Sequence, residues 1–160
     1  MIIDLHLNGK LVLIVGAGNE ALKRIKLLEN EGCQIIVIGE KPNSEIIKLS
    51  KTKKIILKKI KLTSSLFLKK HKPFLVIAST TDLLLNQKIV QTAKKMKILA
   101  YASDSPDSSD ISYLSLIDIK KTIKVAISTG GGSPIMAKKI KLKIEKCLQK
   151  NISEQDIESI

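Results

Sequence analysis

LVLIVGAGNEALKRIKLLENEGCQIIVIGE, residues 11–40, decides the fold. Leu11–Val15 is an unbroken apolar run, the pattern of a central parallel strand covered on both faces. Gly16-Ala17-Gly18-Asn19-Glu20-Ala21 follows, and Ala21, Leu22, Ile25 and Leu28 then recur at helical spacing. Gly32 supplies a helix-stop signal, and residues 35–38 read as a second buried strand ending near Glu40. Strand, glycine turn, helix and strand in succession build a seat for a dinucleotide pyrophosphate. Gly16 and Gly18 allow a tight turn and close approach of the backbone to phosphate, and Ala21 is small enough for helix–strand packing. The helix N-terminus offers unpaired N–H groups and a partial positive charge. Glu40 lies 22 residues beyond Gly18, where an acid holds the ribose hydroxyls and favours NAD over NADP. The adjacent Lys41 works against that preference.

Outward from this unit the alternation continues. Residues 53–61 carry Ile55, Ile56 and Leu57 and read as a third strand near the sheet edge. Residues 66–71 suit a short helix, 74–78 a fourth strand, 83–96 a helix with Leu84, Ile89, Val90 and Ala93 inward, and 98–102 a fifth strand. Strands and helices alternating on short loops argue an α/β fold, a Rossmann-like parallel sheet with right-handed crossovers. The turn-rich SDSPDSSD, residues 103–110, breaks the pattern. Residues 112–117 and 123–128 then read as two strands of a hairpin joined around 118–122. Ser133 caps a last helix with Pro134 in its first turn and Ile140, Ile144 and Leu148 as an apolar stripe. The expected organisation is a Rossmann-like domain over 1–110, a hairpin-plus-helix region over 111–150 and a polar tail over 151–160. A hairpin and helix of about forty residues cannot close a core alone. They must pack on the first domain or on a second copy, and a homodimer is expected.

The 160 residues contain no apolar run of the length a membrane span needs, and MIIDLHLNGK lacks a basic segment followed by an apolar one. A cytoplasmic protein without membrane association is expected. Cys33 and Cys147 follow no metal-ligand spacing and read as reduced, mostly buried thiols. His6 and His71 are isolated, so no metal site is expected. The formal charge of +13 suggests a polyanionic partner or simply a lysine-rich solvated surface. Nucleic acid fits poorly. Arg24 is the only arginine, and Phe67, Phe74, Tyr101 and Tyr113 are the only aromatics, so guanine readout and base stacking have few residues to use.

Three further segments carry chemistry. Ala78-Ser79-Thr80-Thr81-Asp82, with Asn86 beyond, lies at the carboxyl end of the fourth strand, where open α/β sheets bind ligands. Thr80 is placed to contact a cofactor, or Thr81 and Asp82 merely cap the next helix. Asp104 follows the fifth strand at the same edge. It is placed either to take a proton while a hydride leaves, or to serve with Asp107 and Asp110 as a turn residue. Ser128-Thr129-Gly130-Gly131-Gly132-Ser133-Pro134, followed by Lys138, Lys139 and Lys141, reads as a second anion nest or as a flexible loop with a helix cap.

VGAGNEALKR, ASTTDLLLN, YASDSP and STGGGSPIMA, in this order, resemble the precorrin-2 dehydrogenase family, including the N-terminal module of siroheme synthase. That family shows VGGGxVAxRK, AATDDxxxN, NVVDxP and SxGGxSPxxA. The resemblance spans residues 5–148 and rests on the combination of motifs. It implies a homodimeric enzyme that binds NAD and oxidises precorrin-2 to sirohydrochlorin on the route to siroheme. Gly16, Gly18, Asn19 and Glu20 would form the pyrophosphate turn, Glu40 and Lys41 would border the ribose, and Ala78, Ser79 and Thr80 would line the cofactor. Asp104 would be the acid–base residue. Ser128, Gly130, Gly131, Gly132 and Ser133, with Lys138 behind them, would meet the tetrapyrrole. Tyr101-Ala102-Ser103 stands where the family has Asn-Val-Val, and Tyr113-Leu114-Ser115-Leu116 replaces a proline-containing strand. Two alternatives accompany this reading: a bifunctional dehydrogenase and sirohydrochlorin ferrochelatase, and a non-catalytic NAD-sensing module. The second leaves the loop at 130–132 and the hairpin unexplained.

Overall fold

The computed structural model describes residues 2–119, 123–130 and 132–151. β1 (Leu11–Val15) and β2 (Gln34–Ile38) are buried almost throughout, as their unbroken apolar runs require. They pair in parallel, joined by α1 (Asn19–Leu28), which buries Ala21, Ile25 and Leu28. β3 (Ile56–Lys58), β4 (Leu75–Ala78) and β5 (Leu99–Ala102) complete a five-stranded parallel sheet in the order β3-β2-β1-β4-β5. The third strand is at the edge, as expected, and is only three residues long.

Side chains alternate across the sheet. Leu13, Val15, Val76 and Ala78 join one core cluster with α3 (Phe67–His71) and α4 (Leu83–Lys95), while Val12, Ile14 and Ile77 point to the opposite face. The strand order runs outward in both directions from β1 and β4. Right-handed crossovers therefore put α1 and α4 on opposite faces.

Two sequence expectations need correction here. α2 (Ser44–Lys51) was not foreseen; its eight residues bury only Ile46, too short a stripe to read by period. Asn43 starts it, its side chain accepting from the Glu45 N–H at 2.8 Å. In α4, Leu84 is 68% exposed, and the inward stripe is Leu85, Asn86, Ile89, Val90 and Ala93. Asp82 sets that phase by accepting from the Leu85 N–H at 3.0 Å.

Asp4–Ser112 form one compact unit; the described residues from Tyr113 onward, with Ile2 and Ile3, form the other. In the second unit β6 (Ser115–Ile119) and β7 (Ile123–Ile127) make an antiparallel hairpin, and α5 (Pro134–Asn151) packs on both strands. The turn at 120–122 and the tail from 152 lie outside the described residues. Ser133 caps α5 as expected, accepting from the Met136 N–H at 3.1 Å. Ile140, Ile144 and Leu148 are half-buried, and Ile135, Met136 and Leu142 stay exposed.

Candidate functional site

The strand order reverses between β1 and β4, whose last residues Val15 and Ala78 lie side by side. The crevice at such a reversal is where open α/β sheets take ligands. Gly16 turns away from β1 at φ +110°, and its N–H donates to the Ile38 carbonyl at 2.8 Å. A β-carbon there would run into the Ser79 backbone. Ser79 is itself pinned, its N–H and hydroxyl both donating to the Val15 carbonyl, at 2.7 and 3.1 Å. Gly39 is an equally tight position that the sequence reading passed over. An added β-carbon would sit 2.6 Å from the Ala17 β-carbon. Its signal was a glycine directly between the second strand and Glu40.

Above this turn opens a cleft of about 460 Å³. Gly16 and Gly18 form its floor, Glu40 and Lys41 one wall, and Ser79 and Thr80 another. Ile60 and Lys61 also border it. Gly18 precedes α1 in extended conformation, and no side chain caps the helix. A β-carbon on Gly18 would meet nothing within 4 Å, so folding does not demand glycine there. Its bare backbone keeps the floor open beside uncapped helical N–H groups, a donor set that suits a pyrophosphate.

The other expected cofactor residues direct their side chains elsewhere. The side chains of Asn19 and Glu20 do not wall the cleft. Asn19 accepts from Asn43 at 2.8 Å, and Asn43 also donates its N–H to the Ala17 carbonyl at 2.8 Å. Asn43 thus ties the glycine turn to the start of α2, a role the sequence reading did not see. The Glu20 carboxylate is bound by Lys23 and lies 3.8 Å from Arg24. The Lys23 hydrogen bond, outweighing the opposing effect of burial and helped by the charges of Lys23 and Arg24, holds its pKa below the ordinary glutamate value. Ala78 is fully buried in the core, so its side chain does not line the cleft.

The fourth-strand segment does both things left open for it. Asp82 caps α4, while Thr80 and Thr81 wall the cleft. Thr80 is held by Asn86, which is buried to 1% exposure. Asn86 also donates to Asp104 Oδ1 at 3.1 Å. Asp104 is exposed and is not itself a wall of the cleft; one side chain separates it from Thr80, which is. Asp110 differs. Its carboxylate accepts from the Ala100 N–H at 3.0 Å, and Ser109 accepts from the Ala102 N–H at 2.9 Å. Asp110 and Ser109 satisfy the outer backbone of edge strand β5, a structural duty.

In the second unit, the loop before α5 is closed on itself. Ser128 accepts from the Gly130 N–H, Thr129 from the Gly132 and Ser133 N–H groups. Donors expected to face an anion are therefore engaged within the loop. Gly131 lies outside the described residues, and Lys138 is exposed on α5. Among the described residues no cluster of His, Cys, Asp and Glu is arranged to hold a metal, and no helix is long and apolar enough to cross a membrane. Cys33 is half-buried, and burial pushes its thiol pKa up. Cys147, on α5 at the border of its apolar stripe, is exposed, against expectation.

Fold and cleft together define a nucleotide-binding α/β protein. Residues 3–115 match the model of the family described as "Putative NAD(P)-binding", and the chain belongs to that family. The siroheme synthase of Neisseria meningitidis is 28% identical over 151 residues, covering 93% of this chain and 30% of that protein. The siroheme synthase of Methylococcus capsulatus is 32% identical over 138 residues, covering 85% of this chain and 28% of that protein. The chain thus spans less than a third of the curated relatives it matches. Among solved structures it is similar to SirC, a precorrin-2 dehydrogenase, with a TM-score of 0.74 and 26% identity over 96% of this chain and 72% of that one. These relatives bear out the resemblance carried by the four motifs.

Proposed function

We propose that this protein is an NAD-dependent precorrin-2 dehydrogenase acting as a homodimer in the cytoplasm. One observation carries the reading: the Asp104 carboxylate is tied through a single side chain to Thr80, on the wall of the glycine-floored cleft. Dehydrogenation needs a hydride acceptor and a proton acceptor close together. NAD, when bound, supplies the hydride acceptor. The chain's own groups do the rest. The backbone at Gly16 and Gly18 and the first N–H groups of α1 seat the pyrophosphate, and Glu40 takes the ribose hydroxyls. Asp104 accepts the proton as the substrate gives up its hydride.

The lysine-rich surface favours a polycarboxylate substrate over nucleic acid, since the field is general and stacking residues are few. Lys138 and the loop from Ser128 to Ser133 belong to the substrate side of this reading. That side requires the internal bonds of Gly130 and Ser133 to yield to substrate. The exposed Ile135, Met136 and Leu142 support a second copy of the chain as the partner of α5.

The test is anaerobic turnover of precorrin-2 with NAD, with metal omitted and added. Sirohydrochlorin should form with NAD alone, and Asp104→Ala should abolish it while NAD binding stays near normal. An Asp104→Ala variant that turns over like the parent removes Asp104 from the chemistry. A parent that binds NAD without turnover is a sensing module instead.

A further inference from the structure

Asn86 is the one buried polar side chain among the described residues, in a helix face otherwise made of Leu85, Ile89, Val90 and Ala93. A leucine would pack there at lower desolvation cost. Asn86 instead makes four hydrogen bonds, two to its Oδ1 and two from its Nδ2. Oδ1 accepts from the Thr80 N–H at 3.2 Å and the Thr80 hydroxyl at 2.7 Å. Nδ2 donates to the Thr80 carbonyl at 3.0 Å and to Asp104 Oδ1 at 3.1 Å. That is the full capacity of a primary amide. A carbonyl and a carboxylate on one side and an N–H on the other leave only one orientation of the amide.

We propose that Asn86 is a positioning residue that sets the Asp104 carboxylate in fixed register with the cofactor wall. The inference rests on the dehydrogenase reading. Asp104 sits in an exposed loop where its rotamer would otherwise be loose. The Asn86 amide fixes Oδ1 and leaves Oδ2 for the substrate proton. The same amide clamps both backbone groups of Thr80, so cofactor wall and base move as one body. Misplacing a reacting group by about 1 Å costs on the order of a hundredfold in rate.

The test uses the full chain and measures kcat and NAD affinity separately. Asn86→Asp keeps the acceptor for Thr80 and loses the amide that serves the Thr80 carbonyl and Asp104 together. Whether ionised or protonated, the new side chain cannot donate to both. We expect kcat to fall by about tenfold or more while the NAD dissociation constant changes by less than about threefold. Asn86→Asp should also leave the NAD dissociation constant of the inactive Asp104→Ala variant within about threefold, because the loss lies in placing the carboxylate and not in seating the cofactor. Asp104→Glu serves as the second variant. It is exposed and should fold, and moving the carboxylate one methylene from Asn86 should lower kcat with NAD affinity retained. Parent-like kcat in either Asn86→Asp or Asp104→Glu, with Asp104→Ala inactive, overturns the positioning role and leaves the dehydrogenase reading standing. A loss of NAD affinity of about tenfold or more from Asn86→Asp, with or without Asp104, makes Asn86 a structural residue of the cofactor wall only. Absence of turnover in the parent overturns both.

Discussion

The Ser79 carbonyl fills the space that a β-carbon on Gly16 would need. Ser79 cannot retreat, because its N–H and hydroxyl are both spent on the Val15 carbonyl. Gly16 also sits at φ +110°, out of reach of other residues without strain. Gly16→Ala therefore carries a backbone penalty and an overpacking penalty, each about 1–3 kcal/mol. We expect urea unfolding to show a loss of about 3 kcal/mol or more. A midpoint equal to the parent's would mean that the turn relaxes freely.

Gly18 gives the opposite split. Nothing in the fold occupies the space of its β-carbon, and its backbone is extended. Gly18→Val should cost less than about 1 kcal/mol of stability. NAD affinity, measured by calorimetric titration, should drop by about tenfold or more as the side chain enters the pyrophosphate path. Unchanged affinity would place the cofactor elsewhere.

His71 predicts a pH dependence of stability. Burial, and then the charges of Lys58 and Lys70, hold its pKa below the usual histidine value, and Lys58 Nζ approaches its Nε2 at 3.3 Å. The unfolded chain therefore binds a proton that the folded chain refuses. Stability is full above a pH of about 6.5 and declines as the pH falls toward the folded value. His71→Gln should flatten that decline in unfolding curves taken across the window. An unaltered slope would assign it to other groups.

Lys97 follows the C-cap of α4 in the left-handed region at φ +57°, where glycine is the usual residue. The Lys97 and Ile98 N–H groups return to the Lys94 and Ala93 carbonyls, at 3.0 and 2.9 Å, so the conformation is held by the cap. Lys97→Gly should raise stability by about 1 kcal/mol, read from the shift of the urea midpoint. A loss instead would show that the lysine makes a compensating contact.

The most legible parts were those whose signal is local. β1, β2, β4 and β5 are short continuous apolar runs, and the sequence expectations place them within a residue or so of the structure. The α2 helix was hidden because Ile46 alone is buried, and a stripe of one residue has no period. Leu84 read as inward because it is apolar; the Asp82 cap rotates it out and brings Asn86 in. Within the cleft, Gly16, Gly18, Glu40 and Thr80 were legible from their place after strands, whereas Asn43 and Gly39 needed the neighbouring loop to show what they touch.

By itself, then, the order of apolar runs and glycines determined that this chain makes a parallel sheet with a tight glycine turn after its first strand. Apolar period and backbone permissiveness are properties of adjacent residues, so they can be read in one dimension. Which aspartate of SDSPDSSD serves the sheet edge and which bonds the buried amide of α4 was decided only by tertiary structure. Asp110 folds back onto the backbone of β5, and Asp104 is claimed by an amide 18 residues earlier, on a helix whose phase depends on its cap. A hydrogen bond across that separation exists only once the sheet has brought the ends of β4 and β5 together.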